Sequence, residues 1–294
     1  MTTKPMNSAR RTLSRSRFLR LGLASAGGVA LGGGAGFEYA TQVEPRWLAV
    51  EHVALTLPRL APAFDGYRVV QFSDIHMNCP LDRSMLAEIV DTVNAQRPNL
   101  VAITGDFVTA RPEQSIGDLV GELSRLRAPD GVAGVLGNHD IWAGPAIVRR
   151  VMHDSGMLDL SNAVHSVSRR GATFHIAGVD DVWEHLDDLS KVLRGLPRSG
   201  AALLLAHEPD FADTAAASGR FDLQISGHTH GGQVNLPLYG PAILKPYGLR
   251  YPIGLYRLGQ MFQYTNRGVG TCWFNIRLNC RPEVTVITLR SAQA

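Results

Sequence analysis

Five short apolar runs in this chain each end on residues able to bind a metal ion, and this pattern constrains the fold more than anything else in the sequence. Residues 68–73 are followed by Asp74 and His76, and 99–104 by Gly105-Asp106. Residues 132–136 lead into Gly137-Asn138-His139-Asp140, 202–206 into His207, and 223–226 into Gly227-His228-Thr229-His230. Runs that are apolar nearly throughout suit strands buried on both faces. In α/β sheets ligands gather beyond the carboxyl ends of the strands, so groups that follow five such strands can converge. The glycines before Asp106, Asn138 and His228 permit tight turns and a close approach of backbone to the site.

Amphipathic stretches alternate with these runs, which predicts layered α/β architecture. Met85, Leu86, Ile89, Val90 and Val93 recur at helical spacing before Pro98. A second stripe over 116–126 stops at Pro129, and a third over 146–153 opens at Pro145. Residues 164–168 and 173–177 flank Arg169-Arg170-Gly171 as a hairpin, and 284–289 alternates as a closing strand. The apolar stripes are read as core. No repeat, low-complexity stretch or linker is visible after Glu44, so residues 41–294 are expected to form one domain.

Residues 1–40 read as an address. Positions 1–20 carry six cations and no acid, and 21–36 are uncharged, with seven Gly and four Ala. So glycine-rich a stretch is a poor spanning helix, and a basic region before a short, weakly apolar one reads as an export signal or N-terminal anchor. Arg10-Arg11 are twin arginines, and residues 14–20 resemble a twin-arginine signal with Ser16 in place of its second arginine. The expected location is the periplasm, the cell envelope or the membrane surface. Without those six cations, 23 of the 29 Lys and Arg remain against 26 Asp and Glu, so the body is net −3. That balance disfavours nucleic acid as partner, and the mean hydropathy of −0.01 excludes a polytopic membrane protein. Three cysteines, Cys79, Cys272 and Cys280, are too few for a disulfide framework. They are read as buried small hydrophobes, with a Cys272–Cys280 bridge left open.

Carboxylate, amide oxygen and imidazole without thiolate favour Mn, Fe, Co or Zn. Seven residues (Asp74, His76, Asp106, Asn138, His207, His228, His230) exceed the needs of one four- or five-coordinate ion, and two ions sharing a carboxylate are standard apparatus for cleaving phosphate esters. In order and spacing, Ser73-Asp74-Ile75-His76, Gly105-Asp106, Gly137-Asn138-His139-Asp140, His207 and Gly227-His228-Thr229-His230 resemble the motifs of calcineurin-like metallophosphoesterases, a match covering roughly residues 68–290. The resemblance implies a four-layer sandwich of two mixed β-sheets flanked by helices. It implies one divalent ion on Asp74, His76, Asp106 and His230 and another on Asp106, Asn138, His207 and His228. It makes His139 the catalytic histidine, with Asp140 orienting its ring, and implies in-line attack on phosphorus by a metal-bridging hydroxide.

His52, His153, His165, His175 and His185 are read as structural or surface residues, and Asp180-Asp181 and Asp187-Asp188 as solvated loop and helix-start acids. Trp183 and His185 are read as loop residues rather than a substrate rim. Residues 236–256 hold four prolines and four tyrosines. They read as a rigid loop on the sheet edge or as an apolar wall for an amphipathic substrate. Gly231-Gly232-Gln233, residues 266–270 and Pro282-Glu283 resemble an exported or membrane-associated bacterial branch of the family. Some members of that branch act on lipid-linked sugar nucleotides such as UDP-2,3-diacylglucosamine. The expected activity is thus hydrolysis of a phosphodiester or pyrophosphate bond of a lipid-linked substrate. The alternatives are a broad phosphatase or nuclease of the same fold, and a metal-free binding scaffold. No protein partner is implied.

Overall fold

The computed structural model describes residues 33–77, 81–110, 112–242 and 244–293. The basic and glycine-rich residues through Gly32, with Arg10-Arg11 and the stretch 14–20, lie outside the described residues, as does Cys79. No described helix is long and apolar enough to cross a membrane.

Fourteen strands occur among the described residues: β1 (Ala49–Leu57), β2 (Tyr67–Phe72), β3 (Leu100–Thr104), β4 (Val132–Val135), β5 (Leu158–Asp159), β6 (Ala163–Arg169), β7 (Ala172–Gly178), β8 (Ala202–Leu205), β9 (Leu223–Ser226), β10 (Asn235–Leu236), β11 (Gly240–Pro241), β12 (Gly254–Leu258), β13 (Met261–Thr265) and β14 (Glu283–Ser291). They make two six-stranded mixed sheets, β1-β14-β2-β3-β4-β5 and β12-β13-β9-β8-β7-β6, and a small β10–β11 hairpin. In the first sheet only β14 and β2 run antiparallel. In the second, the outer pairs β12–β13 and β6–β7 are antiparallel and the inner pairs parallel.

The two-residue period of a strand assigns each side chain to a layer. Tyr67 and Val69 of β2 meet Leu203 and Leu205 of β8 in the core between the sheets. Val70 and Phe72 point the other way, onto the helices Arg83–Ala95, Ile116–Leu123 and Pro145–Asp154. Ala202 and Leu204 pack outward on Leu189–Gly195 and Ala212–Ala217. The result is the expected order of helices, sheet, sheet, helices. Asp82 caps the first helix by accepting from Met85 N–H (3.0 Å), and Leu86, Ile89, Val90 and Val93 are its buried stripe.

Strands β1, β12 and β13 are not anticipated by the apolar runs. β1 and β12 are sheet edges, and their partly exposed faces carry Glu51, His52 and Arg257, which interrupt any apolar pattern.

Candidate metal centre

β2, β3 and β4 of one sheet and β8 and β9 of the other deliver their carboxyl ends to one place, and all seven predicted ligands are brought there. Asp74, His76, Asp106, His228 and His230 take φ of +54°, +47°, +56°, +72° and +52°. Non-glycine residues rarely adopt that conformation, and clusters of it mark functional sites. Two glycines make room for the turns: a Cβ on Gly137 would lie 2.4 Å from Asp106 Oδ1, and one on Gly227 2.3 Å from Asp74 Oδ2.

Asp74, His76, Asp106 and His230 offer ligand atoms within 4.8 Å of one another, all buried, and this group could hold a metal ion. His76 Nε2 lies 3.0 Å from His230 Nε2 and 3.4 Å from Asp106 Oδ2, and His230 Nε2 lies 3.2 Å from Asp74 Oδ1. On the other side of Asp106, His207 Nε2 is 3.3 Å from the same Oδ2, and His228 Nδ1 is 3.1 Å from Asn138 Oδ1. His207, Glu208 and His228 form a second group with metal-binding spacing.

Surrounding bonds aim these groups. The His139 N–H donates to Asp106 Oδ1 (3.0 Å), and the His228 N–H to both oxygens of Asp74 (3.1 and 3.0 Å). His207 Nδ1 faces the Thr104 carbonyl (2.6 Å) and His228 Nε2 the Pro246 carbonyl (2.9 Å). A carbonyl can only accept, so each ring offers its other nitrogen to the centre. Asp106 Oδ2 and His207 Nε2 are buried without a hydrogen-bond partner although they are neighbours. Buried polar atoms that adjoin without a well-formed hydrogen bond are placed as ligands of one cation are, and such atoms are otherwise costly. The donor set therefore fits a divalent ion.

Electrostatics divide the four histidines, for burial lowers the pKa of His207 but the Asp106 charge outweighs it and holds it well above the usual histidine range. Burial holds His76, His228 and His230 well below the usual histidine range, in the neutral form a metal requires. Burial pushes the Asp106 carboxyl up, but the neighbouring His207 outweighs it and leaves it well below the usual carboxylate range. Burial and the Asp106 charge push Asp140 well above that range.

His139 stands over the cluster, its ring 4.9 Å from those of His76 and Trp142 and its Nε2 3.4 Å from Cys272 Sγ. Asp140 does not orient that ring. Its carboxyl oxygens accept from the N–H groups of Gly137 (3.1 Å) and Val108 (3.1 Å). No disulfide joins Cys272 to Cys280, and both are buried.

Several neighbours were read otherwise or passed over in the sequence. Trp183 is part of the rim, 5.6 Å from the His228 ring, 5.6 Å from Trp142 and 5.8 Å from Tyr247. Asp180 and Asp181 are buried rather than solvated. Burial raises Asp181 and raises Glu208 well above the usual range. Asp188 is the helix-start acid expected, accepting from Lys191 N–H (2.7 Å). His175 is structural as expected, held between Ser166 Oγ and the Ser199 carbonyl. The loop after β13 bonds across to the first sheet through Val269 N–H to Ser73 O and Gly270 N–H to Asp74 O. Buried Arg277 secures that loop by donating to the carbonyls of Arg267 and Gly268.

Clustered imidazoles and carboxylates at the strand ends of an α/β sandwich suit a metal-assisted hydrolase of phosphate esters. The family model for calcineurin-like phosphoesterases matches residues 67–232, and the chain belongs to that family. It is 35% identical over 287 residues to the metallophosphoesterase YkuE of Bacillus subtilis (strain 168), spanning 95% of this chain and 98% of that protein. It is 29% identical over 283 residues to the phosphodiesterase YaeI of Escherichia coli (strain K12), spanning 94% and 99%. Among solved structures, Haemophilus influenzae NAD nucleotidase aligns over 69% of this chain and 45% of its own, at 15% identity and a TM-score of 0.46.

Proposed function

We propose that the chain hydrolyses a phosphodiester or pyrophosphate bond with two divalent ions, one on Asp74, His76, Asp106 and His230 and the other on Asp106, Asn138, His207 and His228. The observation that carries this reading is the orphaned Asp106 Oδ2, lying between His76 Nε2 at 3.4 Å and His207 Nε2 at 3.3 Å. Ions bound there would polarise phosphoryl oxygens and lower the pKa of water. The chain's own residues do the rest: Asp106 is fixed by the His139 N–H, and His207 and His228 by backbone carbonyls. The His139 ring, walled by Trp142, would present Nε2 to the leaving-group oxygen as proton donor or transition-state stabiliser.

The rim supports a lipid-linked substrate. Trp142, Tyr247, Trp273 and Phe274 are large, apolar and exposed, Trp142 and Trp273 flank the His139 ring at 4.9 and 6.1 Å, and the exposed Leu238 and Tyr239 form the tip of the β10–β11 hairpin. Exposed apolar patches of this kind mark binding sites, and UDP-2,3-diacylglucosamine is the named candidate. We further propose export through the N-terminal basic segment, which an intact Met1 terminus on cytosolic protein from the native host would contradict. The activity is tested by metal content and by hydrolysis of bis-p-nitrophenyl phosphate, p-nitrophenyl phosphate, a lipid-linked diphosphate and DNA. Two ions per chain and the highest kcat/KM on the lipid-linked diphosphate are expected; clear preference for DNA or for the monoester overturns the assignment.

A further inference from the structure

The Lys245 ammonium is buried and has no hydrogen-bond partner among the described residues. Lys245 lines a cavity together with Thr229, His230, Gln233, Trp273 and Phe274. No ion pair to it occurs among the described residues, and no acid occurs in residues 227–250 or 271–281, the segments that line this cavity. The neighbouring cation Arg250 is engaged by Asp213, so Lys245 alone is left to line the cavity from its loop. A buried ammonium without a hydrogen-bond partner is costly, and a fold keeps one where an anion is to arrive.

The lysine is held where it is by the loop that carries it. His228 Nε2 faces the Pro246 carbonyl at 2.9 Å, and Thr229 Oγ1 donates to Pro252 O at 2.7 Å. The Gly248 N–H turns back to Lys245 O at 3.2 Å. A Cβ on Gly248 would lie 2.5 Å from Thr229 Cγ2, so only glycine lets the loop sit this close to the Gly227–His230 turn.

We propose that Lys245 binds a second phosphoryl group of the substrate, the one adjoining the phosphorus under attack, so that the site prefers a diphosphate to a monophosphate. The inference rests on the phosphoesterase reading above and narrows it. The cavity is lined by His230 but not by Asp74, Asp106 or His207, so it opens beside the metal-binding cluster rather than over it. A phosphoryl group at the cluster thus places its neighbour against the ammonium, where a charge-assisted hydrogen bond forms, and directs the remaining substrate onto Trp273 and Phe274.

Calorimetric binding of ADP and AMP, which differ by one phosphoryl group, isolates this contact. The full chain is loaded with Mn²⁺ in excess, as wild type, Lys245→Gln and Lys245→Arg. Wild type is expected to bind ADP at least tenfold more tightly than AMP, Lys245→Gln to reduce that ratio to about twofold or less, and Lys245→Arg to keep most of it. Metal content and Tm report the integrity of each variant, and the arginine variant carries the test if the glutamine variant is unstable. An ADP/AMP ratio unchanged in Lys245→Gln, or equal weakening of both nucleotides, overturns the assignment. A wild type that holds no metal and cleaves no bis-p-nitrophenyl phosphate refutes the parent reading instead, so the two failures are distinguishable.

Discussion

Asp106→Asn is the most discriminating substitution in the centre, because it deletes one charge and little else. The amide keeps the size of the side chain and an acceptor for the His139 N–H, and Asn is among the residues that tolerate the φ of +56° found there. What disappears is the negative charge on Oδ2, which sits 3.3 Å from His207 Nε2 and 3.4 Å from His76 Nε2. At that separation and an effective permittivity of about 20, Coulomb's law gives about 5 kcal/mol per unit of facing charge. That is more than three powers of ten in a dissociation constant. Ion content after equilibrium dialysis in micromolar Mn²⁺ should therefore fall from two per chain to one or none. Thermal unfolding gives an independent reading. A ligand at a hundred times its Kd stabilises by about 2.7 kcal/mol, which at about 2–4 °C per kcal/mol raises Tm by about 5–10 °C. Wild type should show that rise on adding Mn²⁺, and Asp106→Asn should not. A variant that folds, keeps both ions and binds them within tenfold of wild type would refute the shared-ligand reasoning.

His139→Ala should retain its metal content yet lose about 10²–10⁴-fold in kcat, the range for one acid–base group; steady-state turnover beside metal analysis checks this, and normal turnover removes His139 from the chemistry. Burial lowers the His207 pKa, but the Asp106 charge outweighs it and holds it well above the usual histidine range, so without metal His207 keeps its proton through neutral pH. Metal uptake through Nε2 must expel that proton, and apparent affinity should fall as pH falls. Calorimetry at pH 7.5 in two buffers of different ionisation heat should report release of about one proton, and heats that do not depend on the buffer contradict it. Leu238→Ser with Tyr239→Ser removes two side chains that are 103% and 87% exposed at the hairpin tip. Measured kcat/KM should fall at least tenfold more on a lipid-linked diphosphate than on bis-p-nitrophenyl phosphate, and equal losses on both would show that this tip carries no acyl chain.

The candidate metal centre is legible in the sequence because the residues that could hold an ion lie within a few residues of strands buried on both faces, so each apolar run announces where its following residues will point. The same rule, followed further, reaches residues that were read as solvent-exposed. β7 ends at Gly178, and Asp180-Asp181 then follow an apolar run just as Asp74 and Asp106 do. β13 ends at Thr265, before the loop that bonds to the backbone of Ser73 and Asp74. Asp140 fails for a different reason. It is adjacent to His139 within the helix Asn138–Ala143, and consecutive residues on a helix do not face one another. Adjacency in sequence therefore argued against the contact it seemed to offer. Lys245, Cys272 and Trp183 leave no local signature, because loops from both ends of the second sheet bring them to the centre. Only the company they keep is visible beforehand. Pro246 and Gly248 beside Lys245 mark a stiff turn with one residue lacking a Cβ, the chemistry needed to press a loop against the Gly227–His230 turn. Specificity in this chain is thus written in loop residues whose meaning depends on tertiary contact, whereas the metal chemistry is written in strand ends and can be read one run at a time.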